Sequence, residues 1–149
     1  MDGPTRVMAF GTFDLLHEGH RAYLAQATSL GDELFVCVAS DQAVEWVKGR
    51  KPQQNENERR DAVAAVEGVT YAFVGTPMNK REDYLNPLYE YEPDIVCLGY
   101  DQALEISEWF NEAVKGLPKV PRIVRANSYK PELYKTSLLR AQHPKYGTS

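Results

Sequence analysis

Two of the chain's three histidines, His17 and His20, stand at the end of the run Ala9 to His20, AFGTFDLLHEGH. The apolar run Arg6 to Phe10 (RVMAF) precedes them and stops at Gly11, so the imidazoles fall in the turn after a first strand and at the mouth of the following helix. Taken singly, a histidine near a helix start is an ordinary surface or satisfied polar residue. Here a glycine turn lets the backbone approach a ligand, and its amides and the positive helix end attract an anion. The two rings add donors for phosphate oxygens.

Cations gather elsewhere in the chain. Lys48-Gly49-Arg50-Lys51-Pro52 is followed by Arg59 and Arg60, in a protein whose net charge is -4. A charge run is commonly a solvated face, but Gly49 and Pro52 shape this one as a loop at the carboxyl edge of a second strand, beside the histidine turn. Lys130 precedes Thr136 and Ser137 at the start of a final helix, where hydroxyls cap the helix or hold a phosphate. Basic groups converging on a helix N-terminus suit a triphosphate and its reaction.

Competing chemistries lack parts. HxxH supplies two zinc ligands where a catalytic site needs three, and His143 lies in the polar C-terminal tail. No GxSxG elbow occurs, with Thr12 where a nucleophilic serine would be needed, and neither GxxxxGK[ST] nor GxGxxG is present. Cys37 and Cys97 sit inside apolar strand-like runs without CxxC spacing and read as buried thiols of a reducing compartment.

The elements that must position these residues alternate along the chain. Strands are expected at Arg6 to Phe10, Glu33 to Ala39, Tyr71 to Gly75, Ile95 to Gly99 and Arg122 to Ala126. Helices are expected at Glu18 to Leu30 with Gly31 as C-cap, Asp41 to Val47, Glu56 to Glu67, Arg81 to Glu92 interrupted by Pro87, and Ile106 to Lys115. This pattern predicts a doubly wound α/β sheet, with ligands bound beyond the carboxyl ends of the strands. In strand order 3-2-1-4-5, Cys37 and Cys97 flank the first strand about 9.5 Å apart, too far for a disulfide.

Bulk properties agree with one soluble domain over residues 1–149: 43% of residues are hydrophobic, 26% charged and 11% aromatic. The acidic balance argues against a general nucleic-acid or anionic-membrane surface. The longest apolar run, Leu34 to Ala39, is far short of the ~20 residues a membrane span needs, so a cytoplasmic protein is expected.

GTFDLLHEGH resembles the GTFDxxHxGH signature of the cytidylyltransferase-like nucleotidylyltransferases. The likeness continues through Leu30-Gly31-Asp32, the KGRKP loop with Arg59, Pro93 to Val96 with Gly99 and Asp101, and Thr136-Ser137-Leu138-Leu139, which is similar to the family's STTxI. The resemblance implies a Rossmann-like fold and transfer of a nucleoside monophosphate from ATP or CTP to a small phosphorylated acceptor, with Mg²⁺ and release of pyrophosphate. It also implies a homodimer. In that scheme His17, His20, Lys48 and Arg59 are the catalytic set. Phe10, Gly11, Thr12, Phe13, Gly99, Asp101, Lys130, Thr136 and Ser137 bind the nucleotide, and Asp14, Asp41 and Arg50 bind the acceptor.

The acceptor is read from departures. Where the cytidylyltransferases carry RTxGISTT, this chain has Lys130-Pro131-Glu132-Leu133-Tyr134-Lys135-Thr136-Ser137, and a lysine does not reproduce a bidentate arginine contact. The Leu98 to Gln102 segment and the KGRKP loop look more like the archaeal-type FAD synthases, which adenylylate FMN. Glycerol-3-phosphate cytidylyl transfer is the alternative, and a nucleotide-binding regulatory module without turnover is the rival of another class. Trp46, Tyr100, Trp109 and Tyr129 offer rings for a flavin or base, although the helical spacing assigns Trp46 and Trp109 to packing.

Overall fold

A computed structural model of the chain describes residues 3–99 and 104–127. The elements run β1 (Arg6–Gly11), α1 (Glu18–Thr28), β2 (Glu33–Val38), α2 (Asp41–Lys48), α3 (Glu56–Ala64) and β3 (Tyr71–Val74). A 3₁₀ turn, Arg81–Leu85, then leads into α4 (Asn86–Tyr91), followed by β4 (Ile95–Leu98), α5 (Leu104–Ala113) and β5 (Arg122–Arg125). The strands form one sheet of order β3-β2-β1-β4-β5, and every pair is parallel. It is a Rossmann-like α/β fold with the strand order expected from the alternation.

Apolar side chains on both faces explain why the central strands form. Along β1, Val7 and Ala9 pack on one face with Tyr23, Leu24 and Ala27 of α1 and Val63 of α3. Met8 packs on the other face with Leu88 of α4 and Phe110 of α5. The period-two alternation of a strand places Cys37 and Cys97 in these two separate cores, and both thiols are free.

Two local expectations are corrected. Helix α1 stops at Thr28 with Ser29 as C-cap, so Gly31 does not end it. A Cβ on Gly31 would come within 2.8 Å of the Val7 side chain and 2.9 Å of the Thr5 carbonyl, so this glycine serves close chain approach instead. Pro87 starts a helix rather than interrupting one: it lies in the first turn of α4, where its missing N–H leaves no bond unmade.

The topological switch point lies at β1. This strand pairs with β2 as far as Gly11↔Val38 but with β4 only as far as Ala9↔Cys97, so β1 and β4 separate at Phe10. The Tyr23 hydroxyl bridges the opening, donating to the Cys97 carbonyl at 2.7 Å and accepting from the Phe10 N–H at 3.3 Å.

Candidate active site

Helix α1 begins at the switch point with an unusual cap. His17 is the N-cap in extended conformation, and its Nδ1 accepts the Gly19 N–H at 3.0 Å. His20 answers from the third helical position, its Nδ1 accepting the His17 N–H at 3.1 Å. Two imidazoles thus perform the exchange that a hydroxyl and a carboxylate perform in an ordinary capping box. Their rings stack with centroids 3.7 Å apart. Because Nδ1 accepts in each ring, the neutral tautomer carries its proton on Nε2, and both rings present an N–H donor on the side away from the helix backbone.

Burial keeps His20 in that neutral form. Its pKa is lowered to about 3, first by desolvation and then by the nearby His17 and Lys48. The fully buried Phe13 ring meets His20 edge-on at 5.4 Å and stacks on Tyr23 at 6.3 Å. Phe13, assigned to the nucleotide by its place in the motif, backs the histidine from inside the fold. Gly11 has a similar internal reason, since a Cβ there would lie 2.6 Å from the Phe13 ring.

Lys48, at the last position of α2, brings its charge close enough to influence His20. Gly49 then turns the chain in left-handed conformation, φ 76°, and Arg50 is exposed on the loop that follows. Of the cations read from this region, the structure brings Lys48 to the histidine pair.

Arg59 is placed otherwise. Its guanidinium is fully buried, donating through Nε to the Gln54 carbonyl at 3.0 Å and through Nη1 to the Thr12 and Ala39 carbonyls, each at 2.8 Å. Nη2 pairs with Asp41 Oδ1 at 2.8 Å. Asp14 accepts the Gln53 N–H at 2.8 Å and the Gln54 N–H at 2.9 Å. Arg59 thus braces the backbone on both sides of the histidine turn, and the Asp14 and Asp41 carboxylates hold protein groups in the same network. Thr12 is likewise buried, with its carbonyl held by Arg59.

Gln54 went unnoticed in the sequence. The neighbouring Asn55-x-x-Glu58 pattern signals it, because that reciprocal cap fixes the start of α3 and so aims Arg59 back toward the loop. Gly99 is buried at the end of β4, with its carbonyl held by Arg125 Nη1 at 2.8 Å. Asp101, Lys130, Thr136 and Ser137, with Tyr100 and Tyr129, lie outside the described residues. Phe10 at the end of β1 meets Phe110 edge-on at 6.1 Å, and Arg81 lies over the Trp109 ring at 4.8 Å. Trp46, assigned to packing by its spacing, is 47% exposed.

A family model described as cytidylyltransferase-like matches residues 8–142. The chain belongs to the cytidylyltransferase-like family. Several similar proteins carry the name FAD synthase. That of Methanosarcina mazei is 46% identical over 121 residues, covering 80% of this chain and 76% of the relative. That of Methanocella paludicola is 40% identical over 131 residues, covering 83% and 86%. A solved structure described as a lipopolysaccharide core biosynthesis protein from Thermoplasma volcanium superposes with TM-score 0.76 at 37% identity, covering 86% of this chain and 100% of that one. The cytidylyltransferase-like chain is thus a nucleotidyltransferase enzyme.

Proposed function

We propose that this nucleotidyltransferase is an FMN adenylyltransferase, forming FAD and pyrophosphate from ATP and FMN. The observation that carries the reading is the pair of stacked imidazoles capping α1, both with Nε2–H donors, with Lys48 beside them. The FAD synthases similar over most of their length supply the choice of acceptor.

The chemistry asks for positioning and charge stabilisation. A phosphomonoester oxygen of FMN is already ionised at neutral pH, its second pKa being about 6, so attack on the α-phosphorus needs no strong general base. A bond forms between that oxygen and the α-phosphorus as the bond to the α–β bridging oxygen breaks, and pyrophosphate leaves with the electron pair. His17 and His20 donate to phosphate oxygens through Nε2, and Lys48 offsets the charge gathering on the leaving group.

Family chemistry joins a divalent cation to the nucleoside triphosphate. Among the described residues no group of three or more His, Cys, Asp or Glu is disposed to hold a metal, and Asp14 and Asp41 have protein partners. That donor set fits Mg²⁺ carried mainly by the phosphates, where it shields their charge. Arg50, with Lys130, Thr136 and Ser137, is assigned by motif position to the triphosphate and acceptor. Gly99 with Asp101, and Phe10, border the nucleoside in the same scheme.

Residues 1–149 are taken as one catalytic domain, homodimeric and cytoplasmic, acting on small molecules rather than nucleic acid. No described helix is long and apolar enough to cross a membrane.

Purified protein incubated with ATP, FMN and Mg²⁺, with products separated by liquid chromatography, tests the reading. FAD should appear with stoichiometric pyrophosphate. CDP-glycerol formed from CTP and glycerol 3-phosphate, with no FAD in the parallel reaction, would transfer the assignment to cytidylyl transfer. Tight nucleotide binding with no product from either pair would support the non-catalytic module.

A further inference from the structure

The turn that delivers the histidines is strained and held from outside. Phe13 and Leu15 both occupy the left-handed region, with φ of 57° and 54°, although neither is glycine. Leu15 is also 45% exposed, so core packing does not explain its conformation. Such backbone persists where its surroundings over-determine it.

Those surroundings converge on one side chain and its peptide groups. Gln54 Oε1 accepts the Leu15 N–H at 3.0 Å, and the Gln54 N–H donates to Asp14 at 2.9 Å. Its carbonyl accepts Arg59 Nε, and the same guanidinium holds the Thr12 carbonyl. Arg59 also reaches Ala39 and Asp41, while the Asp41 N–H donates to Glu56 Oε1 at 2.8 Å. The segment after β1, the start of α2 and the start of α3 are therefore tied at a single point. Two residues beyond Leu15, the chain enters the His17 cap.

We infer that Gln54 is a positioning residue for the transfer reaction: it latches the Thr12–Leu15 turn in its left-handed form and thereby sets where His17 and His20 present their donors. The inference rests on the nucleotidyl-transfer reading. It assigns Gln54 no contact with substrate. Without the latch the Leu15 peptide relaxes, the His17 cap shifts, and donors matched to the transition state are misplaced, while the ground-state affinity for triphosphate changes little.

Gln54 is partly exposed, so substitution leaves the core intact. Gln54→Met keeps side-chain bulk and removes the acceptor, whereas Gln54→Glu keeps an oxygen for the Leu15 N–H. The Met variant should lose on the order of 10- to 100-fold in kcat with an unchanged KM for triphosphate. It should also show faster hydrogen exchange at the Leu15 amide, and the Glu variant should retain most of the kcat. A Met variant with wild-type kcat, or one whose Leu15 amide exchanges as slowly as before, overturns the latch. If the wild-type chain transfers no nucleotide, the functional reading fails, yet the exchange comparison still judges whether Gln54 holds the turn.

Discussion

In the proposed reaction His17 and His20 do two jobs with opposite ends of the ring: Nδ1 holds the first turn of α1, and Nε2 donates to phosphate. Replacing either with alanine should reduce kcat by about 100-fold or more, the scale of losing one preorganised donor to a transition-state oxyanion. His17→Ala also loses an N-cap, worth about 1 kcal/mol, whereas His17→Asn restores a cap without the Nε2 donor. Steady-state kinetics and urea unfolding of the three variants separate the jobs: the Asn variant should recover stability and not turnover.

The His20 pKa makes a further statement about pH. In the folded chain the ring stays neutral down to about pH 3, while in the unfolded chain it takes up a proton near 6.5. Between those values the unfolded state binds more protons, so His20 makes stability rise with pH by up to about 1.4 kcal/mol per unit, an effect complete above 6.5. Urea midpoints measured at pH 5 and pH 7 should therefore differ more for the wild type than for His20→Gln.

At the scale of elements, Gly11 ties strand to site. The space that a side chain would need is filled by the Phe13 ring, and that ring backs His20. Gly11→Ala should cost about 1–3 kcal/mol in urea unfolding, the usual range for overpacking, and lower kcat as Phe13 moves. The strand order was legible beforehand because apolar runs buried on two faces alternate with helical spacing, a pattern that admits few topologies. The histidine turn was legible from its motif. The partners of Asp14, Asp41 and Arg59 were not, because charge and chain position do not tell a guanidinium that meets phosphate from one drawn inward by three carbonyls. That distinction depends on the start of α3 and on a left-handed turn at Phe13 and Leu15, and neither follows from composition or period.

For the molecule as a whole, the sheet separates two cores, and each holds one cysteine. Burial pushes the Cys37 thiol up to about 12 and the Cys97 thiol up to about 11. Both should resist a thiol-reactive dye in the native protein and react together in denaturant, with no intramolecular disulfide forming under mild oxidation. Absorbance after dye addition, with and without urea, is the measurement.

The hydroxyl of Tyr23 carries a consequence for the order of assembly. It joins the first βα unit to a carbonyl 74 positions later, at Cys97. A chain emerging from the ribosome N-terminus first, at about 5–20 residues per second, exposes its histidine turn early but lacks the strand that closes the switch point for several seconds. The histidine turn is encoded at the front of the chain, and the switch point beneath it is closed from the middle.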